Sequence, residues 1–198
     1  MKYILKKIAE SNITIDDALW NEVEEIKIDN FPWKEYVADI KTVAKAVYSD
    51  FGITVRFETD EQPLRATVNE NNGEVCTDSC VEFFLRRADS DNFINIEVNP
   101  FGAMFVGNCY PGQITELDFD RAMFNVVSRI TAKTWALQLT VPFEFIEKEI
   151  GKLDKTFFGN FYKCGDLTKT EHYACWSPIE HEKPNFHLPN FFGELVLE

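Results

Sequence analysis

Alternation of apolar and polar residues constrains this chain more than any other feature. In VAKAVYSDFGITVRFET, Val43 and Val47 and then Ile53, Val55 and Phe57 recur at a period of two around Ser49-Asp50-Phe51-Gly52. A period of two puts one set of side chains on one face of an extended strand, so this stretch predicts a β-hairpin. The same pattern predicts strands over Val81–Arg87, Asn92–Val98, Ala103–Val106, Met123–Ile130, Thr134–Val141, Asn160–Cys164 and Phe192–Leu197. Strands at such short spacing, with turn residues between them, predict an all-β antiparallel sandwich of the immunoglobulin or jelly-roll kind. One or two short helices are expected within it. Asp16-Asp17 can cap a helix running from Trp20 to Glu25, and Pro142 followed by Phe143, Ile146 and Ile150 starts a second.

The 198 residues fit one domain, so residues 1–198 are expected to form a single unit with a core of its own. The 18 Phe, 6 Tyr and 4 Trp favour strands and suit the two inner faces of a sandwich. With 20 Lys and Arg against 33 Asp and Glu, the net charge of −13 repels phosphate backbones and anionic lipid. Neither nucleic acid nor a membrane surface is therefore an expected partner. The start of the chain, MKYILKKIAE, does not resemble a secretory signal. An odd number of cysteines, 5, does not suit a disulfide framework, and together these favour the cytoplasm. A secreted or periplasmic location follows instead if a leader precedes this sequence. Nothing in the pattern bears on the oligomeric state.

The histidines His172, His181 and His187 and the cysteines Cys164 and Cys175 lack the close pairs of a zinc site. Cys76 and Cys80 have no second pair, and a Cys175–His172 nucleophile lacks an oxyanion turn after the cysteine. Glu82 and Glu97 fall on neighbouring strands, where a glycosidase-like pair is conceivable, although solvated strand faces explain most acids in such a chain. Two loops, Glu58 to Ser79 and Gly165 to Asn190, are long enough to expect function from them. Rings in loops, chiefly Tyr110, Tyr173, Trp176 and Phe186, suit the C–H faces of sugars, with neighbouring amides and acids for the hydroxyls.

Several segments together carry a family resemblance. Asp78-Ser79-Cys80-Val81-Glu82-Phe83-Phe84-Leu85 and the strand from Phe93 to Gly102 resemble the D-S-V-E-x-F segment and following strand of family 9 carbohydrate-binding modules. Gly159 to Cys164, Cys175-Trp176-Ser177-Pro178 and Phe186 to Leu195 are similar to the closing strand, S-W-S loop and P-x-x-F-G-x-L ending of that family. Ile15-Asp16 to Trp20 and the hairpin from Val43 to Phe57 agree, so the likeness spans nearly the whole chain and is closest to the family 9-like branch.

The resemblance implies a DOMON-like sandwich that binds carbohydrate without catalysis, on plant polysaccharide or oligosaccharide ends such as those of xylan. It implies a site at Glu82, Glu97, Tyr162, Trp176 and Phe186. Phe186 stands where the second stacking tryptophan of the family falls, whereas Val75-Cys76-Thr77 stands where the first would be. Glu97 takes the place of an arginine and Tyr162 that of an amide. A single stacking face implies affinity in the sub-millimolar to millimolar range, about −4 kcal/mol at the weak end. No cofactor is expected. A structural calcium stays open through the acidic loop from Glu58 to Asp78, which offers oxygen ligands without a fixed-spacing motif. Two other readings remain: a sugar-active enzyme using Glu82 and Glu97, and a ligand-free sandwich that binds a protein partner through an aromatic patch.

Overall fold

The computed structural model describes residues 1–110 and 112–198. Thirteen strands run in chain order as β1 (Lys2–Lys7), β2 (Ile26–Lys27), β3 (Thr42–Tyr48), β4 (Gly52–Thr59), β5 (Cys80–Arg86), β6 (Phe93–Val98), β7 (Met104–Tyr110), β8 (Gln113–Glu116), β9 (Val127–Ile130), β10 (Trp135–Pro142), β11 (Thr156–Gly165), β12 (His172–Cys175) and β13 (Gly193–Leu197). One sheet has the order β8-β7-β6-β5-β11-β13-β1, and the other β1-β3-β4-β10-β9. Strand β1 belongs to both, because Lys2 to Leu5 pair with β13 and Lys6 and Lys7 pair with β3. Both of those pairings are parallel, so the expected antiparallel sandwich is mixed at the one strand that passes between its layers.

Alternation predicts the strands because every second residue enters the inter-sheet core, although in the first sheet the residues between are buried as well. In β5, Val81, Phe83 and Leu85 enter the inter-sheet core, as do Ile94, Ile96 and Val98 of β6. From the opposite sheet come Ala44 and Ala46 of β3, Val55 and Phe57 of β4, and Leu137 and Leu139 of β10. Phe161 of β11 joins the layers: its ring stacks on Phe83 at 4.8 Å and lies 6.2 Å from Phe57 and 5.8 Å from Trp176.

Both expected helices start where their caps place them. The Asp17 side chain accepts from Leu19 N at 2.9 Å and opens a single 3-10 turn, Ala18–Asn21, shorter than the sequence suggests. Pro142 precedes α1 (Phe143–Ile150), whose Phe145, Ile146 and Ile150 are buried against an end of the core. The predicted strand from Met123 to Ile130 is half turn: Arg121–Phe124 is a 3-10 turn capped by Asp120, and β9 begins only at Val127.

A second apolar cluster lies on the outer face of the first sheet. Cys80, Phe84, Phe93, Cys109, Tyr162 and Cys164 project away from the inter-sheet core and are covered by the segments around Val75, Phe186 and Phe192. Buried polar groups hold those segments down. Asp78 accepts from Thr67 N at 2.8 Å, Val68 N at 2.9 Å and Asn99 Nδ2 at 2.9 Å, and Arg65 approaches it at 3.4 Å. Asn160 exchanges two hydrogen bonds with Ser177, donating to its carbonyl at 2.9 Å and accepting from its amide at 2.8 Å. Fully buried Lys163 joins Glu61 at 2.8 Å and His172 Nε2 at 2.9 Å.

Removing the Phe161 ring would leave a hole touched by both layers. Phe161→Ala is expected to cost about 3–5 kcal/mol, a fall in melting temperature of roughly 10 °C, read by thermal denaturation. A change of less than about 1 kcal/mol would mean that the layers do not meet through this ring.

Candidate functional site

Register brings two distant acids side by side. Glu82 of β5 is paired with Tyr162 of β11 on one side and with Glu97 of β6 on the other. All three residues therefore share the outer face of the sheet, since directly opposed residues point the same way. Above them lies a cavity of about 250 Å³ lined by Glu82, Glu97, Asp166, Tyr173, Phe186 and His187, with Cys76 and Cys164 at its floor and wall.

The five residues expected at the site divide into three groups. Glu82, Glu97 and Phe186 line the cavity. Tyr162 lies one layer deeper. It is fully buried, its ring stacks on Phe186 at 4.1 Å, and its hydroxyl donates to the Phe186 carbonyl at 3.2 Å. It supports the platform and does not line the cavity. Trp176 is not brought to the site at all: it sits in the inter-sheet core against Phe161, where a Cβ on Gly193 would overlap its ring. The residue type suited a sugar platform, but its place on the inner side of the sheet makes it a core plug.

A second ring takes part that the expected strands did not include. Tyr173 stands on β12, edge-on to Phe186 at 6.0 Å and 78°. Trp33 braces both from behind, 6.1 Å from Tyr173 and 6.0 Å from Phe186, with its indole N–H donating to the His181 carbonyl at 2.8 Å. Cys76 occupies the cavity lining from the segment where the resemblance implies a missing tryptophan. The cavity thus has two rings at right angles in place of a parallel pair.

Polar contacts at the floor are few. Glu82 accepts from the Cys164 thiol at 3.0 Å, and Glu97 accepts from Asn95 Nδ2 at 2.9 Å. The same Asn95 amide donates to His187 Nε2 at 3.0 Å, which leaves the His187 proton on Nδ1. Burial, then the charge of Glu97, raises Glu82 well above the usual carboxylate range, with the Cys164 contact opposing. Burial also pushes Glu97 up to about 7, against the hydrogen bond from Asn95 and with the nearby charge of Asp166 adding to it. Asp166 is raised by burial as well. These are the shifts expected of carboxyls desolvated beside one another.

The thiols are not poised for chemistry. Burial drives Cys76 upward and takes Cys80 to about 11, while the contact with Cys80, followed by burial, raises Cys164. A nucleophilic thiol needs the opposite shift. The Cys175–His172 pair fails on geometry too, because His172 turns to Lys163 whereas Cys175 packs in the outer cluster. For an enzyme based on Glu82 and Glu97, the acids would have to flank a bond. Here both rise from the same floor on neighbouring strands.

The acidic loop does not suit calcium. Glu58 and Glu61 meet Arg56 and Lys163, Asp60 accepts from Lys41 N, Asp78 is bound as described, and the remaining acids Glu70 and Glu74 are exposed. A calcium site needs six or more converging oxygens, which these carboxylates do not provide.

The chain matches Carbohydrate-binding family 9 over residues 14–197. Its fold is similar to that of a Bacteroides uniformis ATCC 8492 protein described as a candidate carbohydrate-binding protein. The TM-score is 0.87 at 27% identity, covering 100% of this chain and 99% of the other. A family 9 module from Caldicellulosiruptor kristjanssonii in complex with cellotriose has a TM-score of 0.69 at 14% identity, covering 100% of this chain and 94% of that one. A family 9 module from the same organism in complex with glucose has a TM-score of 0.65 at 14% identity, with coverage of 100% and 96%. At that identity the likeness is one of fold. No curated protein matches the chain.

The raised carboxyls link stability to pH. A folded-state value near 7 for Glu97 means that folding takes up a proton there, so its share of stability is intact below the ordinary carboxylate range. That share is lost as pH climbs toward 7 and beyond. Glu97→Gln cannot ionise and still accepts from Asn95. It should therefore be more stable than the parent at about pH 8 by roughly 1–3 kcal/mol, and this gain should shrink toward acid. Melting curves across that range test it, and a gain that does not vary with pH would contradict the assignment.

Proposed function

The chain belongs to carbohydrate-binding family 9, a family of non-catalytic modules, and on that basis we propose that the cavity above β5, β6 and β11 binds the end of a carbohydrate chain. The observation that carries this reading is the meeting of two rings, Phe186 and Tyr173, with the buried carboxyls Glu82 and Glu97 in one cavity. Rings offer flat apolar faces to sugar C–H groups, and carboxyls accept from hydroxyls. A volume near 250 Å³ has room for about one sugar ring, which favours recognition of a terminus over the middle of a chain. Tyr162 holds the Phe186 ring in place from beneath, so little side-chain freedom is lost when a sugar docks.

The complexes of Caldicellulosiruptor kristjanssonii modules with cellotriose and glucose make β-linked glucose ends the first ligands to try, with xylan-type ends beside them. Affinity is set low by the small contact. One ring face and its edge-on neighbour support a dissociation constant from sub-millimolar to about 1 mM, about −4 kcal/mol at the weak end.

Isothermal titration with glucose and with cello- and xylo-oligosaccharides tests the proposal. Heat is expected with at least one sugar end. Phe186→Ala should weaken that binding by about tenfold or more, a loss near 1.4 kcal/mol. Phe51→Ala removes an exposed ring from the β3–β4 hairpin of the other sheet and should bind as the parent does. Silence with every sugar would end the proposal.

A further inference from the structure

The acids of the cavity point to a particular class of sugar. Glu82 is 3% exposed and Glu97 8%, and each uses one carboxyl oxygen in a protein hydrogen bond. The second oxygen of each, Glu82 Oε2 and Glu97 Oε2, has no hydrogen-bond partner among the described residues. Beside them the fully buried Asn95 has an Oδ1 that is also without a donor. Two carboxyl oxygens at the cavity therefore have no donor from the described residues, and the buried Oδ1 of Asn95, next to Glu97 on the same strand face, is unpaired as well. Asp166 adds a third carboxyl group to the polar lining, and no Lys or Arg is among the residues around the cavity. The histidine there, His187, is held neutral by burial.

With both acids ionised, such an arrangement is unfavourable without a cation. Like charges directly opposed on neighbouring strands repel, and a buried carboxylate needs a partner to offset its lost hydration. A neutral sugar hydroxyl brings one donor and no charge. A protonated amine brings a positive charge and three donors, enough to serve the free oxygens of both Glu82 and Glu97 at once.

We propose that the cavity takes an amino sugar, a pyranose with a free protonated amine, whose ammonium lies between the carboxyls of Glu82 and Glu97. This rests on the carbohydrate reading above and narrows it. The sugar ring would lie against Phe186 and Tyr173, and the same rings favour a cation near their faces. N-acetylation removes both the charge and two of the donors, so the acetylated sugar should bind no better than the neutral one.

Titration of the full chain at neutral pH with glucosamine, glucose and N-acetylglucosamine separates the outcomes, run with and without zinc or a chelator. Glucosamine is expected to bind about tenfold or more tightly than the other two, since a charge-assisted contact adds about 1.4 kcal/mol or more. In Glu97→Gln and Asp166→Asn, both checked for folding by circular dichroism, the ratio between glucosamine and glucose should fall toward one. Equal or weaker binding of glucosamine overturns this inference and leaves the carbohydrate reading standing. No heat with any of the three removes both. Zinc is included because thiol and carboxylate atoms of Cys80, Glu82 and Cys164 lie within 4.8 Å of one another. Zinc binding that abolishes the glucosamine preference would show a metal to be the cation of this cavity and would overturn the inference.

Discussion

The whole arrangement depends on burial of the first sheet on both faces. Every residue of β6, and all of β5 except Arg86, is buried. The inner face meets the other sheet, so the outer face needs a cover that no further sheet supplies. Irregular segments provide it, and irregular backbone brings polar groups into places where they must be paired. This explains why polar anchors cluster there: Asp78 under residues 65–68, Asn160 under Ser177, Lys163 between Glu61 and His172. Burial makes these contacts stronger and also makes each costly to break. The cavity exists because this cover is incomplete above Glu82 and Glu97.

The two acids are tolerated by the same logic. Their carboxyls sit where water is scarce, so the neutral form is favoured until something positive arrives. The surrounding thiols also stay neutral, which keeps the floor from accumulating negative charge. A net charge of −13 over the chain makes the approach of a cationic ligand favourable from outside as well. Long-range attraction and local vacancy thus act in the same direction.

Much of the fold was legible in the amino-acid pattern because β5, β6, β10 and the β3–β4 hairpin are rich in apolar residues, with every second one facing the inter-sheet core. β1 escaped notice since KYILKK buries only Tyr3 and Leu5 and shows lysines on its other positions. β12 is four residues long and follows β11 after a six-residue turn, too short a strand for alternation to show. At the site, strand spacing was enough to bring Glu82 and Glu97 together. Depth was not legible: Tyr162 and Trp176 are aromatic residues in the expected segments, and only the side of the sheet on which each falls separates a buttress from a core plug. Tyr173 was legible as a ring outside the expected strands, but Trp33 is far along the chain from both rings it braces, and only the folded chain joins them.

A cavity lined by Cys76 where the family resemblance implies a ring depends on its ligand in what it discriminates, and not only in how tightly it binds. Two parallel rings grip any flat sugar from both faces and therefore reward area. A single buttressed ring with a perpendicular neighbour contributes less from area, which leaves a larger share of recognition to the polar floor. Discrimination by unpaired buried acceptors is steep, because a ligand that fails to supply donors leaves them unsatisfied and bears that cost in full. In the proposed site the small stacking area and the paired acids are then complementary: the first limits affinity for sugars in general, and the second makes what remains depend on the charge and donors of one substituent.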